Sequence, residues 1–257
     1  MLLAREFGNV IPAARNAVAM ITKRILVLAN STKHYPKSCV AGRELIDEGG
    51  NTRWGGWIRP VSNHDEGALD FAERRLATGT DPKPLDIVQV SLSALQSDPI
   101  QPENWLIEPG QAWTKLSAVS VQDLLPLVEE PQDLWMQSGQ RNDRVQKSFL
   151  LQRPEPRSLY LIKPDTFCFE VRSKTWESVT KKKIRAGFTY RRQYYSLALE
   201  DPLIVRKYFP DFSKANDGDV QIKNPVLLCV SLPQEFKEFK EPGYHFKIVA
   251  TVFELPA

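Results

Sequence analysis

Apolar residues in this chain fall in short runs that prolines keep interrupting, a pattern that excludes long helices and favours short strands. Nineteen prolines stand against thirteen glycines in 257 residues, and prolines at that density fix turns and stop elements. Residues 25–29 form a compact apolar run that reads as a buried strand, with 30–33 as the loop that ends it. Residues 40–46 read as a short helix closed by Gly49-Gly50. Strands are expected again at 55–61, at 85–92, where apolar and polar residues alternate, and at 104–108.

The period changes after residue 117. Val121, Leu124, Leu125 and Val128 recur at helical spacing, with Ser120 as the cap and Asp123 at its third position. Residues 131–135 suggest another helical turn, and 137–144 an exposed loop. Pro154 and Pro156 then lead into a denser β region. It has strands at 158–162 and 167–171, and a hairpin of 183–190 with 193–200 turning at Arg191-Arg192. A helix follows at 203–208, then strands at 226–232 and 246–253. In the second hairpin arm Tyr195, Leu197 and Leu199 share one face, and Tyr194, Ser196 and Ala198 the other. The expected divisions are an N-terminal extension (1–21), a β domain (22–112), a helical connecting segment (113–153) and a second β domain (154–257). Each half carries enough strands for a small barrel or sandwich. No sequence repeat relates the two.

Charge is segregated. Between residues 172 and 195 lie eight cations and one acid, Glu177, so this stretch carries +7 while the whole chain carries +3. The cations are Arg172, Lys174, Lys181, Lys182, Lys183, Arg185, Arg191 and Arg192, interleaved with Trp176, Phe188, Tyr190, Tyr194 and Tyr195. Clustered cations attract phosphates and flat rings stack on unpaired bases, so the stretch reads as a nucleic-acid surface. The alternative is a solvated turn with tyrosines in the core. A secondary candidate joins Lys33, Lys37 and Arg43 to Arg59, where a guanidinium beside glycines could fork onto phosphate.

Catalytic signatures are absent from the pattern. His34, His64 and His245 have no zinc spacing. His64-Asp65 lacks the further histidines a metal phosphohydrolase needs. Asp165 with Glu170, Arg172 and Lys174 has the wrong spacing for a two-metal nuclease. Asn142-Asp143-Arg144 reads as an Asp-capped turn. No phosphate-binding glycine loop occurs, and neither a cofactor nor a metal is expected. Cys39, Cys168 and Cys229 are odd in number and far apart, which suits a reducing cytoplasm. No run approaches the ~18 apolar residues of a membrane span, so no membrane partner is expected. The first twenty residues lack the unbroken apolar core of a secretory signal; they form either a short amphipathic helix or an extension ahead of a start at Met20.

The order of several short motifs resembles bacterial dual-OB-domain-containing proteins over about residues 22–255. The motifs begin with the string from Lys23 to Ser31, Cys39-Val40-Ala41-Gly42, and Gly56-Trp57-Ile58-Arg59-Pro60-Val61-Ser62. Leu85-Asp86-Ile87-Val88, Asn142-Asp143-Arg144-Val145 and Tyr195-Ser196-Leu197 before Asp201 follow. Ser231-Leu232 and the stretch from Tyr244 to Ala250 close the series. The resemblance implies a β-rich α+β chain with two tandem OB-like small barrels joined by a helical segment, and no catalytic residues to carry over.

The expected function is therefore non-catalytic binding of single-stranded DNA or RNA through the second domain. The eight cations would meet phosphates, with Tyr190 and Tyr194 as stacking rings. By its type the protein suits an accessory part of a phage-defence or mobile-element system. Two other readings stay open: a subunit docking an acidic protein partner, and a sensor or enzyme for a small nucleotide.

Overall fold

The computed structural model describes residues 20–34, 36–64, 67–96, 98–176, 179–235 and 243–256. The extension expected at 1–21 therefore lies almost wholly outside the described residues.

The first half is built on β1 (Ile21–His34), β2 (Lys37–Glu48) and β3 (Asn51–Val61), followed by a single helical turn, α1 (Phe71–Arg74). Strands β4 (Asp86–Leu95), β5 (Asn104–Ile107) and β6 (Thr114–Ala118) complete it. Neighbouring strands run in the order β1-β2-β3-β5-β4, and β4 pairs back onto β1 to close a five-stranded barrel, with β6 added on β4. The β3–β5 pair is parallel and every other pair antiparallel. This is the five-stranded Greek-key arrangement of an OB barrel. Ile25, Val27, Val40, Ile58, Val88, Val90 and Trp113 fill its interior.

Two expectations fail here. Residues 30–33 continue β1 rather than leaving it, because pairing with β2 runs as far as His34 opposite Lys37. Residues 40–46 are strand, not helix. Gly49 and Gly50, at φ 57° and 87°, make the tight two-residue turn between β2 and β3, a backbone geometry that favours glycine at both positions.

The connecting segment holds a 3-10 turn (Val121–Leu127) started by a reciprocal Ser120–Asp123 capping box. It then passes through β7 (Arg144–Gln146) and α2 (Lys147–Leu150). Residues 131–135 are not helical: Trp135 sits at φ 52°, fully buried, its indole N–H donating to the Arg157 carbonyl at 2.7 Å.

The second half repeats the first topology. Its strands are β8 (Leu159–Ile162), β9 (Thr166–Trp176), β10 (Val179–Tyr190) and β11 (Gln193–Leu199). Then come α3 (Pro202–Tyr208), β12 (Gly218–Gln221), β13 (Val226–Ser231), β14 (Tyr244–Phe246) and β15 (Ile248–Glu254). The order is β9-β10-β11-β15-β13-β8, with β11–β15 parallel. It matches the first barrel strand for strand once β8 and β9 are taken as two halves of one strand broken at Lys163-Pro164-Asp165. Proline cannot donate to a ladder, and a break at a barrel corner is where it fits. Phe169, Phe188, Tyr195, Leu197 and Val249 belong to this barrel's core. The short β14–β7 pair joins the connecting segment to this half.

A third apolar cluster lies between the barrels. It packs Leu26, Leu28, Ala41 and Ile87 of the first against Leu159, Leu161, Leu227, Cys229 and Phe253 of the second, with Leu124 and Leu127 of the 3-10 turn. Burial on this scale is the dominant favourable term in association. The two barrels are therefore one packed unit.

Candidate nucleic-acid interface

An OB barrel presents its ligand face on its second and third strands. In the first barrel that face is covered. Ala41, Leu45, Trp54 and Trp57 of β2 and β3 pack into the cluster between the barrels. Trp57 donates its indole N–H to Glu129 Oε2 at 3.0 Å. Arg43 donates through Nε to the Gly55 carbonyl, lies 5.8 Å from the Trp57 ring centre, and approaches the Glu129 carboxylate at 3.6 Å. Arg59 is 6% exposed. Its Nη2 donates to Ser158 Oγ at 2.9 Å and Ser231 Oγ at 3.2 Å, and lies 3.3 Å from the Glu103 carboxylate. The phosphate fork expected of Arg59 is thus corrected: this guanidinium ties the barrels together. Lys37 is half-buried on β2, and the Lys33 side chain lies outside the described residues.

In the second barrel the equivalent face is open, because its contacts with the first are made by β8, β13 and β15. Strand alternation sends Tyr195 inward, 1% exposed and stacked on Phe188 at 5.3 Å, and sends Tyr194 outward, 47% exposed. The Tyr194 phenol reaches across the sheet and donates to Glu170 Oε1 at 2.5 Å. Ser196 donates to the other oxygen of the same carboxylate. Gly187 makes this possible: a Cβ there would stand 2.5 Å from the Tyr194 oxygen. Burial first, and then the Glu170 hydrogen bond, push the phenol well above its ordinary pKa, so it stays a neutral donor.

Beside this ring opens a cleft of about 530 Å³ lined by Arg141, Asn142, Asp143, Arg185, Tyr194 and Ser196. Arg185 is held by Ser196, donating through Nε to Oγ at 2.8 Å and through Nη2 to the carbonyl. Asn142 donates to the Tyr194 carbonyl at 2.8 Å. Asp143 accepts from Arg141 and Arg144, each at 3.1 Å, and lies 3.7 Å from Arg185. The loop containing Asn142-Asp143 is therefore a wall of this cleft, beyond the capped turn its sequence suggested. Its contact with Tyr194 bridges fifty-two positions along the chain, which no local motif signals.

The other expected contacts divide. Lys181, Lys183, Arg191 and Arg192 are exposed. Arg191 donates to the Glu130 carbonyl at 3.0 Å. Arg172 donates to Asp219 Oδ1 at 2.7 Å, a contact that raises its pKa. Two assignments are corrected. Tyr190 is 5% exposed and donates its hydroxyl to the Pro131 carbonyl at 2.9 Å, so its ring is core rather than a stacking platform. Lys182 is placed on the opposite face from Lys181 and Lys183, donating to the Ser213 and Ala215 carbonyls at 2.7 and 2.6 Å. The Lys174 and Trp176 side chains lie outside the described residues. Among those described, no group of three or more His, Cys, Asp or Glu could hold a metal ion, and no helix is long and apolar enough to cross a membrane.

Glu200, just past the end of β11, has its pKa pushed up to about 7 by burial, against the opposing pull of Lys183. Its folded form binds a proton more tightly than the unfolded chain, whose carboxyl titrates near 4.5. Stability should fall as pH rises through that window. Glu200→Gln is expected to flatten this limb in thermal midpoints measured from pH 4 to pH 8.

Two equivalent OB barrels with one open strand 2–3 face define a dual-OB protein. The chain belongs to the family described as Dual OB-containing domain, whose model matches residues 23–252. A curated rat protein, "Uncharacterized protein C8orf76 homolog", is 35% identical over 91 residues, 34% of this chain. The chain spans about a quarter of that relative's length, the match covering 24% of it. Among solved structures, one titled "Crystal structure of the tetrameric p202 HIN2" aligns over 91% of this chain and 93% of its own, at 12% identity and a TM-score of 0.30.

Proposed function

We propose that this protein binds single-stranded nucleic acid without cleaving it, in the cleft beside Tyr194 on the open face of its second barrel. The observation that carries the reading is the fixed, half-exposed Tyr194 ring. It is tethered to Glu170, bordered by Arg185 and Arg141, and placed on the face with which OB barrels bind oligonucleotides. A ring already held in place can stack on an unpaired base without first being ordered, which spares part of the entropic cost of binding. The exposed Arg141 and Arg192 supply cations for the backbone. By family type, the role we assign is an accessory, cytoplasmic component of a bacterial phage-defence or mobile-element system.

Titration of labelled DNA and RNA single strands tests the reading. With about four phosphates neutralised, log affinity against log salt should slope near −3. Tyr194→Ala should cost ~1–3 kcal/mol of binding with little change in slope. Gly187→Ala should imitate it, since the new methyl would meet the Tyr194 oxygen and the Glu170 carboxylate and so break the tether that fixes the ring. Retention of full affinity in both folded variants would place the site elsewhere. Binding only to a protein partner or to a free nucleotide would replace the proposal.

A further inference from the structure

Past Arg172 and Lys183, β9 and β10 lose their other strand partners, although Ser173 still donates to the Asp217 carboxylate. The β10–β11 register stops at Arg185 and the β12–β9 register at Val171. What continues is a two-stranded ribbon, residues 172–176 and 179–183, about 16 Å long at the usual rise per residue. Its register sets Lys183 opposite Arg172 and Lys181 opposite Lys174. Directly opposed like charges destabilise an antiparallel pair. Alternation assigns all four positions to one face of the ribbon, and the described ribbon residues include no acid. Asp219, on β12, balances Arg172. Lys181 and Lys183 remain exposed. On the other face Lys182 holds the ribbon's root to the Ser213 and Ala215 carbonyls. The ribbon is thus anchored at its root and presents exposed cations on one side.

A two-stranded β-ribbon fits the major groove of a duplex, which is about 12 Å wide. The Tyr194 cleft needs an unpaired base. The two features share one sheet face: Arg185 walls the cleft, and Lys183 is the next residue of β10 on that face. Resting on the single-strand reading above, the geometry points to a junction between single strand and duplex as the preferred ligand, its unpaired end in the cleft and its paired end against the ribbon.

Fluorescence anisotropy with three probes decides this: a single strand, a blunt duplex, and a duplex carrying the same single strand as a tail. The tailed duplex should bind about tenfold or more tighter than either alone, the gain expected when two linked sites engage together. Lys181→Gln with Lys183→Gln should bring the ratio of tailed to single-stranded affinity towards one, with a thermal midpoint no lower than the parent's. Tyr194→Ala should weaken both probes and preserve the ratio. A single strand bound at Tyr194 with no gain from the duplex overturns the junction and leaves the single-strand reading standing. A gain that survives the double lysine change also overturns it. Failure to bind single strand at all removes both.

Discussion

Arg59→Ala is expected to lower the stability of the whole chain by about 3–5 kcal/mol, the cost of leaving one member of a buried ion pair without the other. The Glu103 carboxylate is 8% exposed. Without Arg59 it keeps only the Ser158 hydroxyl, among the hydrogen bonds described, to offset its lost hydration. The Ser231 hydroxyl loses its guanidinium partner at the same time. Because Arg59 belongs to the first barrel and both serines to the second, the loss should appear as an earlier single transition. Denaturant unfolding followed by circular dichroism and tryptophan fluorescence would read it. Replacing both charges, Arg59→Met with Glu103→Leu, should recover only part of the loss, since an apolar pair carries no desolvation cost but leaves the buried Ser158 and Ser231 hydroxyls unpaired. A change under about 1 kcal/mol for Arg59→Ala would falsify this account of the contact.

Lys247→Met should act in the opposite direction. Lys247 is 1% exposed, its ammonium 5.8 Å from the Tyr195 ring centre and without a hydrogen bond to the described protein groups. Burial pulls its pKa down to about 8 from 10.5, although Asp133 and Asp143 pull upward. The unfolded chain therefore binds the proton more tightly. Below pH 8 folding carries the full penalty of burying the charge, and between pH 8 and pH 10.5 the penalty is relieved, so stability rises with pH. Methionine has nearly the same length and no charge. The variant should gain roughly 1–3 kcal/mol at pH 7 and lose this rise above pH 8. A parallel pH profile in the two proteins would show that the ammonium is solvated.

How far the sequence could be read followed the number of buried faces on each strand. In β11 one face is core and the other open, so alternation separated Tyr195 from Tyr194 correctly. In β2 both faces are buried: Val40 points into the first barrel while Ala41 and Leu45 pack between the barrels. Alternation vanishes from such a strand, and residues 40–46 looked helical. The same cause hides the role of Arg59: glycines beside a guanidinium suggest a phosphate fork, and its partners Ser158 and Ser231 lie 99 and 172 positions further along the chain. Tyr190 and Lys182 belong to the same inner row of β10 positions as Ile184, Ala186 and Phe188. Residue type alone suggests ligand contacts for both, whereas parity along the strand puts them on the inner row. The wall formed by Asn142 and Asp143 depends on a tertiary contact and left no local trace.

The packing of the first barrel's β2–β3 face against β8, β13 and β15 of the second has an evolutionary consequence. The first barrel has surrendered its ligand face to a protein neighbour, so Ala41, Leu45 and Trp57 answer to the shape of Leu161, Leu227 and Phe253. Substitutions there are acceptable in compensating pairs across the seam. The corresponding strands of the second barrel carry no such obligation on their outer side. Tyr194, Arg185 and the ribbon cations are free to change without a compensating partner across the seam. Among relatives, the seam should therefore diverge slowly and in correlated steps, while the open face changes independently of it.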